Sequence, residues 1–143
     1  MNKQFYTVVS GQKQDRIRKY SCTITILLLN RGGKFYRDDF LNHTASIKDA
    51  EILCIDGPQL SYDIETRSKK FPNVKFLLLK SEITIGEKIN LGIEEARSEF
   101  TLVIWSDMKL HNPNQLEKIT ESAKTSDSIC MVPLLKTRKM AQI

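Results

Sequence analysis

The chain has 143 residues, of which 41% are hydrophobic and 27% charged, and these values are typical of a folded globular domain. A chain of this length buries one core and is too short for two domains of usual size. No apolar run approaches the roughly 20 residues that cross a bilayer, and the polar N-terminus lacks the apolar stretch of a secretory signal. We therefore expect a cytoplasmic protein, or a soluble piece of a membrane-associated one, that contacts membranes peripherally if at all.

The net charge of +5 belongs to the two ends of the chain. Residues 1–21 hold five Lys or Arg against one Asp, residues 136–143 hold three basic residues and no acid, and residues 22–135 hold 14 basic against 16 acidic residues. We divide the chain accordingly into a basic N-terminal extension, an α/β domain and a basic C-terminal tail. Solvated ends explain the charge most simply. Because no aromatic residues interleave with the basic ones, we predict no nucleic-acid partner.

The three cysteines, Cys22, Cys54 and Cys130, stand far apart, and each lies within an apolar run. No two of them have the spacing of a zinc knuckle or a redox pair. We predict that they are small buried hydrophobic residues in a reducing compartment. The sequence has two histidines, His43 and His111, so a His-rich metal site is not expected.

Short apolar runs alternate with segments of helical periodicity along the middle of the chain. The apolar runs predict strands at residues 22–29, 51–56, 74–79, 101–105 and 128–135. The intervening segments predict helices at residues 34–47, 61–71, 85–96 and 113–124. Because the strands are continuously apolar, we predict an α/β fold in which a mostly parallel sheet is covered by helices on both faces.

Polar residues follow the predicted strands at the positions where such sheets bind ligands. In a parallel sheet, ligands bind outside the carboxyl ends of the strands, where the strand order reverses. The polar residues at these ends are Asn30, Arg31, Asp56 and Asp107. A carboxylate there accepts hydrogen bonds from a base or a ribose, or binds a hard cation. Aspartate before glycine is also a common turn residue, so a turn is a sufficient explanation of Asp56 taken alone. Asp56 and Asp107 taken together, at one edge of the sheet, favour a ligand site.

The order of these features resembles the nucleotide-sugar-binding N-terminal half of family-two glycosyltransferases, which have the Rossmann-like GT-A fold. The resemblance covers roughly residues 22–135. Its most specific part is a helix that leads into a strand with a terminal acid, and the motif residues there are Gly86, Asn90, Gly92, Ala96 and Phe100.

The resemblance implies a nucleotide-binding role for several of these polar residues. The family's nucleotide-binding positions correspond in this sequence to Asn30, Arg31, Asp56, Asp63 and Asn90. Asn30 and Arg31 match the polar pair that lines the nucleotide pocket, and Asp56 matches the acid that contacts the base. The expected ligand is UDP or another pyrimidine or guanine nucleotide joined to a sugar.

The resemblance also implies a divalent cation, Mn²⁺ or Mg²⁺. Asp107 matches the last acid of the family's Asp-x-Asp motif, which holds this cation against the diphosphate and so neutralises the leaving group. Trp105 stands where the first acid of that motif is expected, and Ile89 stands where an arginine usually precedes the asparagine. Since these ions are held by carboxylates together with phosphate oxygens, one remaining acid predicts a weakened metal site.

The activity implied by the resemblance is transfer of a sugar from a nucleoside-diphosphate sugar to an acceptor hydroxyl, with inversion. In inverting members of the family, the catalytic base and the acceptor pocket come from the chain beyond the fifth strand. No residue here matches that base, and we therefore expect either a fragment of a longer enzyme or a degenerate relative. The sequence specifies neither the sugar nor the acceptor.

Two other functions remain open at this stage. The first is a catalytically degenerate nucleotide-binding or protein-interaction module on the same fold, with a homodimer covering the exposed sheet edge. The second is a receiver-like signalling domain with Asp56 as its phosphoacceptor. That domain would need a cluster of acids after the first strand, where Asn30 and Arg31 stand instead.

Overall fold

The computed structural model of the chain describes residues 5–10, 22, 24–30, 41, 49–105 and 114–127. These residues form an α/β fold around a five-stranded mixed sheet. Its strands are β1 (Tyr6–Ser10), β2 (Ile24–Leu29), β3 (Ala50–Asp56), β4 (Val74–Leu79) and β5 (Phe100–Trp105). The helices whose bounds lie in the described residues are α1 (Ile64–Lys70), α2 (Ile85–Glu95) and α3 (Asn114–Thr125).

The strand order is β1-β4-β3-β2-β5, and β1 alone runs antiparallel to its neighbour. The chain moves outward from β2 through β3 to β4 and then returns, by way of α2, to the other side of β2. The strand order therefore reverses between β2 and β5. This is the position at which open α/β sheets leave a crevice for a ligand.

Alternate side chains of the central strands bury two separate faces of the sheet. On one face, Ile26 and Leu28 pack in a cluster with Ile64 of α1 and with Phe71, which follows that helix. On the other face, Leu27 and Leu29 pack with Leu91 of α2. Helices therefore cover both faces, as the continuously apolar strands predicted.

Helix α2 approaches the sheet closely at Gly92. A Cβ atom added there would lie 2.9 Å from Cγ of Leu27 and closer still to both methyl groups of that side chain. Leu27 is fully buried, so it has little room to move away. Glycine at this position therefore sets how near the helix lies to β2.

The start of α2 is fixed by a reciprocal cap between Thr84 and Glu87. The Thr84 amide donates to Oε2 of Glu87 at 2.7 Å, and the Glu87 amide donates to Oγ1 of Thr84 at 3.2 Å. These bonds satisfy two amide donors that a helix start leaves without partners. Hydrogen bonds from the Thr84 backbone and side chain also lower the pKa of Glu87.

A polar cluster at the amino ends of the strands ties the turn after α2 to the sheet. Glu51 accepts from the Thr25 hydroxyl at 3.2 Å and from the Arg97 amide at 2.9 Å. The hydroxyls of Thr25 and Ser98 lie 2.5 Å apart, and Ser98 also donates to the Phe100 carbonyl at 2.7 Å. Because Thr25 is completely buried, these partners offset the desolvation of its hydroxyl.

Strand β1 was not predicted from the sequence. Its five residues lie within the segment assigned to a basic extension, and their hydrogen-bonded pairing with β4 is what holds them in the sheet. The Tyr6 hydroxyl also donates to Glu95 of α2, whose other carboxylate oxygen lies 3.6 Å from Nζ of the buried Lys75. A short run among Lys and Gln residues gives a weak local signal, so the pairing is visible only in the fold.

The other predicted elements agree closely with the described ones. The predicted strand at 74–79 has the observed bounds, and the remaining described elements differ at their ends by three residues or fewer. The predicted helix at 34–47, apart from the helical residue Leu41, and the predicted strand at 128–135 lie outside the described residues. None of the helices in the described part of the chain has the length and hydrophobicity needed to span a membrane.

The cysteine prediction is confirmed for Cys54, which is fully buried, and only in part for Cys22, which is half-buried. Burial raises the pKa of both thiols, so both are less acidic than an exposed cysteine. Cys130 lies outside the described residues.

The first prediction concerns the close approach at Gly92. We expect Gly92→Ala to be about 1–3 kcal/mol less stable than Gly86→Ala, because overpacking at Gly92 costs about 1–3 kcal/mol, whereas both variants gain up to about 1 kcal/mol from the better helix propensity of alanine. Gly86→Ala, in the first turn of the same helix, is the matched control because a Cβ there meets nothing within 4 Å. Urea unfolding measures both. Equal stability of the two variants would contradict the close approach.

The second prediction concerns the acid dependence of stability. The pKa of Glu87 is lower in the folded chain than the usual 4.5 of an exposed glutamate, because it accepts hydrogen bonds from Thr84. The stability that its carboxylate contributes is therefore present above pH 4.5 and is lost as the pH falls through the folded-state pKa. We expect Glu87→Gln to flatten this acid-side decline, measured as thermal unfolding between pH 3 and 7. Glu94→Gln, exposed on the same helix, controls for the loss of one negative charge. If the thermal stability of Glu87→Gln depended on pH in the same way as that of the unsubstituted chain, the cap described here would be wrong.

Candidate functional site

Asn30 and Asp56 lie side by side at the carboxyl edge of the sheet. Leu29 of β2 is level with Ile55 of β3 in the parallel register, so the next residue of each strand is level as well. Nδ2 of Asn30 lies 3.2 Å from Oδ1 and 3.3 Å from Oδ2 of Asp56. The prediction that both residues stand at one sheet edge is confirmed.

The Asp56 carboxylate is nearly buried, with 8% of the residue exposed, and it has several hydrogen-bond donors around it. Besides Asn30, the Gly57 amide donates to Oδ1 at 2.8 Å and the Tyr62 hydroxyl donates to Oδ2 at 2.8 Å. A carboxylate has about four acceptor positions, and these donors occupy both oxygens. The contacts with Asn30 are the longest of the set and are shared between the two oxygens.

Gly57 allows the chain to turn directly after Asp56. Its φ is +100°, and a Cβ there would lie 2.8 Å from the backbone oxygen of Leu79 at the end of β4. Residues with a side chain rarely adopt this conformation. The turn therefore depends on glycine, and it is this turn that brings the Gly57 amide to the carboxylate.

Tyr62 reaches Asp56 from the segment that precedes α1. The guanidinium carbon of Arg67, in α1, lies 4.8 Å from the centroid of the Tyr62 ring, a distance typical of a cation–π contact. Burial, and then the negative charge of Asp56, raise the pKa of Tyr62 well above its usual value, so the phenol remains a protonated donor.

The sequence analysis did not identify Tyr62 as a site residue. The available signal was an aromatic hydroxyl six residues after a strand-ending acid, in an otherwise polar segment. Spacing alone does not reveal that the intervening loop folds back toward the strand end.

Asp63, predicted to bind nucleotide, forms the N-cap of α1. Its carboxylate is exposed and accepts from the amides of Glu65 at 3.3 Å and Thr66 at 3.2 Å. The hydroxyl of Thr66 also donates to it, and this bond is the main cause of the lowered pKa of Asp63. The carboxylate thus serves its own helix, and its predicted ligand contact stays a prediction.

Asn90, also predicted to bind nucleotide, is exposed on α2. It lies roughly 9 Å along the helix axis from the cap residue Thr84, because an α-helix rises about 1.5 Å per residue. Asn90 is not among the described hydrogen-bond donors to Asp56, which are Asn30, Gly57 and Tyr62. Its nucleotide contact stays a prediction.

Trp105 ends β5 on the other side of the strand-order reversal. It is level with Leu29 in the parallel register, is half-buried, and packs against the core cluster on the face that α2 covers. This packing is typical of a core aromatic at a strand end.

The predicted metal ligand Asp107 and the predicted nucleotide contact Arg31 lie outside the described residues. Within the part of the chain that the structure describes, no group of three His, Cys, Asp or Glu side chains is arranged to hold a metal ion. The expectation of a divalent cation therefore stays with Asp107 as a prediction.

Comparison with protein-family models and with curated proteins finds no match to this chain. The structure establishes an α/β fold with a mostly parallel sheet. Any narrower family assignment is a proposal.

The third prediction tests the turn that presents Asp56. We expect Gly57→Ala to lower the free energy of unfolding by about 1–3 kcal/mol, since a side chain at positive φ is strained and its Cβ meets the Leu79 backbone. Thermal and urea unfolding measure the loss, with Gly86→Ala again as the control. If Gly57→Ala were as stable as the control, the turn geometry described here would be wrong.

Proposed function

We propose that this chain is the donor-binding half of an inverting glycosyltransferase of the GT-A type. It would hold a nucleoside-diphosphate sugar at the carboxyl edge of the sheet, beside the reversal of strand order between β2 and β5. The observation that carries the proposal is the pairing of Asn30 with Asp56 at the ends of adjacent parallel strands. Together they present a hydrogen-bond donor next to an anionic acceptor at the edge where such folds bind nucleotides.

This pair suits the edge of a nucleobase. Uracil, thymine and guanine each present a ring N–H beside a carbonyl oxygen, and these groups complement the Asp56 carboxylate and the Asn30 amide. A charged acceptor makes a stronger hydrogen bond than a neutral one, and the low exposure of Asp56 reduces competition from water.

Asn30 is the partner of Asp56 that a base would displace with least loss. Its contacts with the carboxylate are 3.2 and 3.3 Å, compared with 2.8 Å for those of Gly57 and Tyr62. In the proposed complex, the Asn30 amide would exchange its contact with the carboxylate for one with the base carbonyl.

The diphosphate would extend from this base site along the sheet edge toward the end of β5 and the segment that follows it. Asp107, two residues beyond Trp105, is the acid in that segment that the resemblance assigns to the cation. A Mn²⁺ or Mg²⁺ held there with phosphate oxygens would neutralise the charge on the leaving nucleoside diphosphate. Arg31, directly after Asn30, would supply a positive charge close to the same phosphates.

Asp56 is not suited to act as the catalytic base of the transfer. Both of its oxygens already accept hydrogen bonds, and the carboxylate is nearly buried. A base must reach the acceptor hydroxyl within hydrogen-bond distance. We assign Asp56 to donor binding and expect the base to come from another part of the enzyme.

The second candidate is a non-catalytic nucleotide-binding or protein-interaction module on the same fold. The observation in its favour is Trp105, which packs into the core at a position where the family carries a metal-binding acid. The receiver-like alternative is weaker, because a phosphoacceptor needs an open carboxylate oxygen, whereas Asp56 is only 8% exposed and donors occupy both of its oxygens.

The fourth prediction is nucleotide binding measured by calorimetry. We expect UDP, GDP or dTDP to bind more tightly with Mn²⁺ than without it, and Asp107→Ala to remove that metal dependence. Asp56→Ala should weaken binding at least about tenfold, the usual effect of losing a hydrogen bond to a charged group. Glu94→Ala, an exposed acid on α2, should bind as the unsubstituted chain does.

The outcomes separate the candidates. Metal-independent binding that still requires Asp56 would favour the non-catalytic nucleotide-binding module. If none of the three nucleotides binds, the donor-site proposal is wrong and a protein-interaction module becomes the better explanation.

A further inference from the structure

We infer that Tyr62 is a positioning residue of the nucleotide site: its hydroxyl fixes the Asp56 carboxylate in the orientation that would bind the nucleobase. This inference rests on the proposed function, and it adds a residue that the family resemblance does not assign. It is carried by the 2.8 Å hydrogen bond from the Tyr62 hydroxyl to Oδ2 of Asp56.

The carboxylate is held from two sides by short bonds. The Gly57 amide donates to Oδ1 and the Tyr62 hydroxyl donates to Oδ2, both at 2.8 Å. Rotation about the Cβ–Cγ bond of Asp56 would therefore break both hydrogen bonds. Gly57 is adjacent in sequence and follows the backbone of Asp56. Tyr62 comes from outside the strand and is therefore the side chain that determines the direction of the second oxygen.

The Tyr62 ring is itself held in place. The Arg67 guanidinium carbon lies 4.8 Å from its centroid and 6.0 Å from that of Phe71, so the cation lies near both rings. Phe71 is buried in the core cluster between α1 and the sheet. The position of the hydroxyl is thereby linked to the packing of α1.

Tyr62 remains a donor under all conditions in which a nucleotide would bind. Burial and the Asp56 charge raise the pKa of its phenol, which keeps the proton on the oxygen at neutral and moderately alkaline pH. The carboxylate therefore keeps this partner when Asn30 is displaced by a base. Two short bonds that stay in place and one longer contact that a base displaces make the carboxylate a preorganised acceptor.

Tyr62→Phe removes the hydroxyl and keeps the ring beside Arg67. Titration of the intact chain with UDP, and separately with inorganic pyrophosphate, at fixed Mn²⁺ concentration measures the effect. We expect the affinity for UDP to fall about three- to tenfold and the affinity for pyrophosphate, which has no base, to stay unchanged. A purely structural role for Tyr62 would not separate the two ligands in this way.

Tyr6→Phe is the matched control. Tyr6 also donates its hydroxyl to a carboxylate, that of Glu95 at the last residue of α2, which is not among the residues that the proposal assigns to the nucleotide site. We expect Tyr6→Phe to bind UDP as the unsubstituted chain does. If Tyr62→Phe does not fold, Arg67→Met provides the second test: it keeps the aliphatic stem but removes the cation beside the ring, and it should also weaken UDP selectively.

Failure of this inference is distinct from failure of the proposed function. If the unsubstituted chain binds none of UDP, GDP and dTDP, both are overturned. If the chain binds UDP and Tyr62→Phe binds it equally well, or loses pyrophosphate by the same factor, the positioning role is wrong and the donor site stands.

Discussion

The complete burial of β2 is the constraint on which the rest of the structure depends. Every side chain from Ile24 to Leu29 is buried, so both faces of the sheet need a covering layer. Polar groups are accordingly concentrated at the strand ends. At the amino end, the buried Thr25 hydroxyl has its hydrogen-bond partners in the polar cluster around Glu51, and this cluster connects the strands to the turn after α2. At the carboxyl end, Asn30 is the first residue after the buried strand. Its amide donates to the Asp56 carboxylate, whose other donors come from the turn at Gly57 and from Tyr62 in the loop that follows. The two edges thus differ: the amino edge ties the turn after α2 to the sheet, and the carboxyl edge holds the groups that the proposed nucleotide would contact.

The return of the chain through α2 produces the reversal of strand order beside β2, the strand that Asn30 follows. To reach β5, the chain must pass back over β3 and β2, and α2 can lie close to those strands because Gly92 has no side chain to meet Leu27. The cap at Thr84 fixes where the helix begins after β4.

At the last turn of α2, Glu95 accepts a hydrogen bond from Tyr6 of β1 and forms an ion pair with Lys75 of β4, which ties the helix to these two strands. The reversal of strand order is therefore held at both ends of the crossing helix, and the position of the proposed site follows from it.

Much of this arrangement could be predicted from the sequence, because the signals involved are local. Continuous apolar runs identified β2 to β5, and the carboxyl ends of parallel strands necessarily share an edge, which is why Asn30 and Asp56 were expected together. Two features needed the fold. Tyr62 reaches Asp56 only because the loop after Gly57 turns back, and β1 is held by backbone pairing with β4 more than by its own composition. Asp63 shows a further limit: the family resemblance assigned it to nucleotide, whereas an aspartate directly before a helix is also the expected N-cap, and the structure uses it as one.

The base-binding and metal-binding halves of the proposed site are built from different parts of the chain, and this separates the two candidate functions. The base half lies on β2, β3 and the loop to α1, and its bonds hold the carboxylate whether or not a cation is present. The metal half would depend on the segment after β5, to which the resemblance assigns the single acid Asp107; Trp105, the last residue of β5, packs against the core. If the resemblance holds, the absence of a first acid at Trp105 would weaken cation binding and leave the hydrogen bonds among Asn30, Asp56 and Tyr62 unchanged. Under the proposed function, a chain without transfer activity would still bind the base, so nucleotide binding alone would fit both candidates, and metal-dependent binding would favour transfer.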